Sequence, residues 1–141
     1  TINAMAISLY DWAKAVLEAE LFDMDARVIS FTSEGNQKVW PSYAAVSAAK
    51  ATLEAITRSM ALELAPFGIK ANCIQAGTTN TPSFRAIPGS EQLEILAKKR
   101  SPFNKLTTPE DVANVVYLLS KDEAKWINGS IITVDGGEHL R

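Results

Sequence analysis

Three β-rich runs, each separated from the next by helical patterns, constrain the fold of this chain more than any other feature. The runs are RVISFT (27–32), IKANCIQ (69–75) and SIITV (130–134). Apolar residues recur at helical spacing over about 3–22, 42–67, 90–98 and 108–119. The resulting order, α-β-α-β-α-α-β, predicts a parallel sheet with helices on both faces, because parallel strands need crossover connections.

Residues typical of helix starts support two of these helices. Thr107 or Thr108 precedes Pro109, which fits the first helical position, and Asp111 stands where the acid of a capping box belongs. Ser90 is the expected N-cap of the helix over 90–98. We therefore expect both helices to begin at these hydroxyl residues.

The glycine-rich turn of a complete doubly wound domain does not occur in this sequence. Such a domain opens with a strand and a G-x-G-x-x-G turn that holds a pyrophosphate, whereas this chain opens in a helical pattern and contains no such motif. We therefore expect residues 1–141 to be the C-terminal half of a doubly wound, Rossmann-type α/β domain. It has three parallel strands flanked by helices and lacks the N-terminal glycine-rich half.

Composition excludes several classes of function. The net charge of -2 gives no basic excess for nucleic acid, and no apolar run approaches the ~18 residues that span a membrane. The first residues do not resemble a signal peptide. Cys73 is the only cysteine and is expected in the core, and the lone His139 predicts no metal site. We expect a cytoplasmic protein without a nucleic-acid or membrane partner.

Tyr43 and Lys50 are the first candidate site residues. They are seven residues apart in the long helical pattern, which is close to two turns, so both side chains leave one face. An ammonium beside a phenol favours the phenolate and makes the phenol a better proton donor. The alternative is that a surface Tyr and a surface Lys share a face by chance.

Five segments, in order, resemble the short-chain dehydrogenase/reductase family. They are VISFTS, PSYAAVSAAKATLEAITRSMALELAPFGIKAN, AGTTNT, TPEDVANVVYLL and NGSIITVDGG. The common family pattern places Tyr four residues before Lys, where this chain has Val46. The Y-x6-K spacing of Tyr43 and Lys50 is instead similar to the enoyl-acyl-carrier-protein reductase branch. Some members of that branch carry a second Tyr where this chain has Ser33.

The resemblance implies hydride transfer from NADH or NADPH to the β-carbon of a trans-2-enoyl thioester. Tyr43 would hydrogen-bond the thioester oxygen as an enolate develops, and Lys50 would hold the nicotinamide ribose. Ser33 would contact the substrate or orient Tyr43. A Ser that only bonds local backbone is the alternative for that position.

The same resemblance assigns cofactor contacts to Gly77, Thr79 and Thr81. Gly77 would let the backbone approach the cofactor, and Thr81 would contact the carboxamide or a phosphate. Ordinary loop threonines are the competing interpretation. The segment from Thr81 to about Lys99 resembles the family's mobile lid. Its apolar side chains either line an acyl pocket or pack the lid onto the core; they are Phe84, Ile87 and Leu93.

The partners implied are an acyl thioester carried on acyl carrier protein or coenzyme A, and further copies of the chain in a homodimer or homotetramer. Two alternatives stay open: a short-chain reductase of another carbonyl or enone, and a catalytically inactive fragment that only assembles. Asn3 lies where the wider family has a proton-relaying Asn, and we interpret it as a helix-surface residue.

Overall fold

A three-stranded parallel sheet forms the centre of the computed structural model, which describes all of residues 1–141. The strands are β1 (Arg27–Ser33), β2 (Lys70–Ala76) and β3 (Ile131–Val134). The helices are α1 (Ser8–Glu18), α2 (Ala44–Glu63), α3 (Pro82–Arg85), α4 (Ser90–Arg100) and α5 (Pro109–Leu119). A π-helical segment, Asn3–Ile7, leads into α1, and short 3₁₀ turns follow Ser33, Leu64, Lys121 and Gly137.

The sheet has the order β1-β2-β3, with every neighbouring pair parallel. Ser33 is paired in register with Ala76, and Ala76 with Val134. The three strands therefore end together at one edge of the sheet, as in doubly wound proteins, where ligands bind beyond this edge. The predicted fold class, an α/β arrangement with three parallel strands flanked by helices, is confirmed.

Helices cover both faces of the sheet because the central strand is apolar on both sides. Ala71 of β2 packs with Met60 of α2, with Leu64 directly after that helix and with Ala13 of α1. Ile74, which points to the opposite face, packs with Leu119 of α5. This two-sided burial explains why IKANCIQ lacks the polar alternation of a half-exposed strand. Cys73 is a fully buried, free cysteine, as predicted.

The helix ends agree with the sequence signals in one case and differ in another. Thr108 and Asp111 form the capping box: the Thr108 hydroxyl accepts from the Asp111 amide at 3.2 Å, and the Asp111 carboxylate accepts from the Thr108 amide at 2.9 Å. The prediction of Ser90 as an N-cap is wrong. Gly89 takes that position at φ +78°, a left-handed conformation that glycine adopts without a Cβ clash.

No helix in this structure has both the length and the apolarity needed to cross a membrane. No three of its His, Cys, Asp and Glu side chains are grouped so that they would hold a metal ion.

Candidate active site

The candidate site lies where β1 and β2 end side by side. Ser33 is the last residue of β1, and Gly77 directly follows β2. The register of the sheet brings these two chain exits next to each other. The parallel arrangement thus places the predicted catalytic residues and the predicted cofactor residues at one edge.

Tyr43 occupies the N-cap position of α2 rather than a position inside the helix, because α2 begins at Ala44, two residues after the predicted start at 42. Its half-buried ring lies directly against Gly35 in the 3₁₀ turn after Ser33. A Cβ on Gly35 would come within 2.5 Å of the Tyr43 ring and 3.0 Å of its hydroxyl oxygen. The ring therefore fits only because residue 35 has no side chain.

Ser33 and Tyr43 both stand at helix caps, but neither side chain makes a capping hydrogen bond. Local backbone bonding, the alternative interpretation of Ser33, therefore finds no support in this geometry. Both hydroxyl groups keep their hydrogen-bonding capacity for another partner.

Lys50 reaches from α2 to the end of β1. Its ammonium donates a hydrogen bond of 2.8 Å to the backbone carbonyl of Phe31, two residues before Ser33. Burial lowers the pKa of Lys50 below its ordinary value, while Cys73 and Glu54 act in the opposite direction. Two N–H groups of the ammonium remain for a ligand. The three predicted catalytic side chains thus surround the exit of β1.

Glu54, one helical turn after Lys50, is a buried carboxylate that sequence patterns did not identify as important. It accepts hydrogen bonds from the Thr32 hydroxyl at 2.7 Å and the Asn36 amide nitrogen at 2.6 Å. These bonds fasten the turn after β1 to α2. The one available signal was its i, i+4 spacing from Lys50, which places both on one side of the helix.

The predicted cofactor residues use their polar groups mainly within the chain. The Thr79 hydroxyl donates to the Gly77 carbonyl at 2.9 Å. The Thr81 hydroxyl oxygen accepts from the Phe84 amide at 3.2 Å and caps α3, so its own hydrogen is free to donate. A Cβ on Gly77 would come within 2.7 Å of the Asp135 Cβ. Packing inside the chain thus already requires glycine there, a reason different from the predicted approach to a cofactor.

Two surface clefts border this edge of the sheet. One, of about 480 Å³, contains Thr79 and Thr81 but none of the predicted catalytic residues. Phe31 and Ala76 of the sheet also line it, with apolar residues of α5. A larger one, of about 660 Å³ at the end of β3, contains none of the predicted site residues. The available donors, the Lys50 ammonium and the Thr81 hydroxyl, fit the ribose hydroxyls and the carboxamide or phosphate oxygens of a nicotinamide cofactor.

The apolar side chains of the predicted lid are neither fully buried nor fully exposed. Phe84, Ile87 and Leu93 are all half-buried, and Ala97 is the one fully buried residue of α4. The two interpretations of these side chains, as an acyl pocket or as core packing, therefore both stay open.

A charged cluster connects the two chain exits, and sequence patterns missed it completely. Arg100, the last residue of α4, makes ion pairs with Glu34 and Glu138. The Glu138 carboxylate also accepts from the Thr78 amide at 2.9 Å and from the Thr78 hydroxyl at 2.8 Å. Burial acts to lower the pKa of Arg100, but its bonds to the two carboxylates outweigh this and raise it. We call Arg100, Glu34 and Glu138 the Arg100 cluster.

The family model, a curated relative and a solved structure all show similarity to the same family of reductases. The family model described as enoyl-(acyl carrier protein) reductase matches residues 1–139. The enoyl-[acyl-carrier-protein] reductase [NADH] FabI of Aquifex aeolicus is 33% identical over 141 residues, 97% of this chain and 52% of its own length. In structure, the Aquifex aeolicus VF5 enoyl-[acyl-carrier-protein] reductase (NADH) matches 97% of this chain and 53% of its own with a TM-score of 0.89 and 32% identity.

Other reductases match almost as well. Dehydrogenase/reductase SDR family member 6 of Danio rerio is 32% identical over 147 residues, 99% of this chain and 59% of its own length. The promiscuous reductase LugOII, which catalyses keto-reduction at C1 during lugdunomycin biosynthesis, has a TM-score of 0.82 at 32% identity, covering 97% of this chain and 53% of its own. The chain spans about half the length of the curated relatives it matches.

Proposed function

This chain belongs to the short-chain dehydrogenase/reductase family, and we propose that it is the catalytic half of an NADH- or NADPH-dependent reductase of trans-2-enoyl thioesters in fatty acid synthesis. One observation carries the proposal: Tyr43 is seated against Gly35 at the end of β1, with Lys50 seven residues further on the same helix. The whole protein that contains these residues is called the parent protein below.

Each residue has a distinct part in the proposed mechanism. A nicotinamide bound at this site would supply a hydride for the β-carbon of the substrate. The Tyr43 hydroxyl would donate a hydrogen bond to the thioester oxygen, on which negative charge would develop. Lys50 binds the ribose hydroxyls and keeps the local field positive. Ser33, with its free hydroxyl, orients Tyr43 or contacts the substrate.

The position of the phenol supports an enoyl substrate over a ketone. In carbonyl reduction, the hydride and the proton go to adjacent atoms. In enoyl reduction, the charged oxygen lies further from the carbon that accepts the hydride, so the donor must be displaced. Tyr43 lies three residues before Val46, where the common family pattern has its Tyr, and Val46 has no proton to donate.

A ketone or enone reductase is the second candidate. One observation favours it, the match to LugOII, which performs keto-reduction. The hydroxyl of Ser33 resembles both the wider family and certain other enoyl reductases, so it does not by itself separate the two candidates. Reduction that depends on the Ser33 hydroxyl and not on the Tyr43 hydroxyl would favour this candidate over the first.

We further propose that residues 1–141 are a partial NAD(P)-binding Rossmann-type domain and that the parent protein supplies the glycine-rich half. The motif that would hold the pyrophosphate does not occur among these residues. The large apolar side chains on the surface suit a homodimer or homotetramer; Phe67, Leu118 and Trp126 are examples. The acyl group of the substrate would be carried on acyl carrier protein or coenzyme A.

The experiment is a substrate comparison in the purified parent protein, whose intact mass is recorded first. Crotonyl thioester and a panel of ketones are offered with NADH and with NADPH, using wild type and Tyr43→Phe. We expect crotonyl reduction that falls at least about a hundredfold in Tyr43→Phe, because a proton donor or oxyanion donor contributes that much. Tyr10→Phe, an exposed tyrosine of α1, is the matched control. Robust ketone reduction that is retained in Tyr43→Phe would contradict the proposal.

A further inference from the structure

We propose that the Arg100 cluster is a two-armed positioning clamp, in which Glu34 sets the catalytic loop and Glu138 sets the cofactor loop. The proposal rests on the proposed function, because the two loops matter only if they carry a reductase site. None of the three side chains is assigned to contact the substrate or the reacting atoms. Each acts through the backbone segment that it holds.

The first arm reaches the exit of β1. Both terminal nitrogens of Arg100 contact the Glu34 carboxylate, one of them at 3.2 Å from Oε2. Lys38 also binds Glu34, at 2.7 Å. Glu34 stands between Ser33 and Gly35, and Gly35 is the residue against which the Tyr43 ring rests. Fixing the Glu34 side chain therefore fixes the surface that positions the phenol.

The second arm reaches the exit of β2. Arg100 contacts Oε1 of Glu138, whose side chain is only 3% exposed. Glu138 in turn receives two hydrogen bonds from Thr78, one from the amide and one from the hydroxyl. Thr78 lies between Gly77 and Thr79 at the start of the predicted cofactor loop. The Glu138 carboxylate therefore holds the start of that loop through both the backbone and the side chain of Thr78.

The guanidinium fork gives the cluster its geometric precision. Arg binds carboxylates through two parallel N–H groups in fixed directions, which a single ammonium cannot reproduce. Because Ala97 is the only fully buried residue of α4, apolar packing holds this helix weakly. Arg100 therefore fastens the end of the predicted lid as well as the two loops. Removing it would leave the Glu138 carboxylate buried without its cation.

The test separates the two arms in the parent protein. Glu138→Gln is expected to weaken NADH or NADPH binding roughly tenfold, measured by nucleotide fluorescence without substrate, with kcat within about twofold at saturating cofactor. Glu34→Gln is expected to show the reverse: kcat lower by roughly tenfold and cofactor affinity within about twofold. Loss of one bond to a charged group is of this size.

Two further variants complete the set. Arg100→Lys keeps the charge but loses the fork, and both quantities are expected to fall. Glu123→Gln, which removes an exposed carboxylate outside the cluster, is the matched control. The melting temperature of each variant is recorded, because a purely structural role would lower stability without separating affinity from kcat.

Equal effects of Glu34→Gln and Glu138→Gln on both quantities, or no effect of either, overturn the clamp. If Glu138→Gln does not fold, Thr78→Val removes only the hydroxyl bond; severalfold weaker cofactor binding supports the clamp, and unchanged binding overturns it. The affinity measurement uses no substrate. A parent protein that reduces no enoyl thioester, but shows weaker cofactor binding in Glu138→Gln alone, therefore overturns the proposed function and supports the cofactor arm.

Discussion

The loop that leaves β1 and the loop that leaves β2 lie side by side, but they use their hydroxyl groups in different ways. At the β1 exit, neither Ser33 nor Tyr43 caps the helix whose N-cap position it occupies. At the β2 exit, Thr78 bonds Glu138, Thr79 bonds the Gly77 carbonyl, and Thr81 caps α3.

This difference suggests that chemistry and scaffolding are divided between the two exits. Free hydroxyl groups and a half-buried ammonium suit proton donation, and both are found at the β1 exit. Hydroxyl groups consumed by internal bonds stiffen a loop, and a stiff loop presents its backbone and its few remaining donors in fixed positions.

Lys50→Met removes the cation at the β1 exit and is expected to have the largest effect. Cofactor affinity should fall ten- to a hundredfold, because several charge-assisted hydrogen bonds to the ribose are lost. The measurement is nucleotide binding to the parent protein, with Lys14→Met as the control, since Lys14 makes only an exposed ion pair with Glu18. Unchanged affinity would contradict the role given to Lys50.

Gly35→Ala is expected to displace the Tyr43 ring and lower kcat by about tenfold, because the new methyl group would lie 2.5 Å from that ring. The displacement acts through the phenol alone, so kcat should be insensitive to Gly35→Ala in the Tyr43→Phe background. Additive losses in the double variant would mean that Gly35 has a role separate from seating Tyr43.

Thr81→Val probes the one loop hydroxyl with an unused hydrogen. It should weaken cofactor binding severalfold through loss of that donor, and it also removes the cap of α3, which costs about 1 kcal/mol. Thr81→Ser keeps both functions and is the control. Thr79→Val, which loses a bond inside the loop, should have about a twofold effect. Equal losses in the two valine variants would remove the distinction between these threonines.

Two groups near this edge of the sheet, Asp135 after β3 and Lys50 beside β1, are expected to make stability depend on pH in different ranges. Burial acts to raise the pKa of Asp135, but hydrogen bonds from His139 and Gly137 outweigh it, so the pKa lies below its ordinary value. Stability from this group is therefore present above the unfolded pKa near 3.8 and is lost as the pH falls through the folded pKa.

Lys50 changes stability in the same direction, but in the alkaline range. Because its pKa is lowered in the folded state, the unfolded state binds more protons just below pH 10.5, and stability rises with pH there. The measurement is the free energy of unfolding across pH in Asp135→Asn and Lys50→Met. Asp135→Asn should weaken the pH dependence of the unfolding free energy only in the acid range, and Lys50→Met only in the alkaline range. A weaker acid dependence in Lys50→Met would contradict the assignment of that range to Asp135.

Local patterns predicted the elements of this fold well, and long-range contacts account for most of what they missed. The strands were predictable because each is a short apolar run between helical repeats, and the capping box of α5 because Thr108 and Asp111 are three residues apart. The π-helical segment at Asn3–Ile7 has no comparable signal. Helix ends are defined only to within one or two residues, and Tyr43 accordingly falls at the cap of α2.

The site was predictable only in part for the same physical reason. Tyr43 and Lys50 lie close in sequence, so spacing identified them. The contact of Arg100 with Glu34 joins residues 66 positions apart, which no spacing rule can identify. The approach of a cofactor to Gly77 stays a prediction, whereas the close packing of Gly77 against Thr107 and Asp135, from distant segments, had no signal in the sequence.

The most direct test of the central claim is a crystal structure of the parent protein with oxidised nicotinamide cofactor and crotonyl thioester, a pair that cannot react. We expect the Tyr43 hydroxyl at about 2.6–3.2 Å from the thioester oxygen, with the Lys50 ammonium on the ribose hydroxyls. A thioester oxygen more than about 4 Å from Tyr43 and bound by another donor would contradict it.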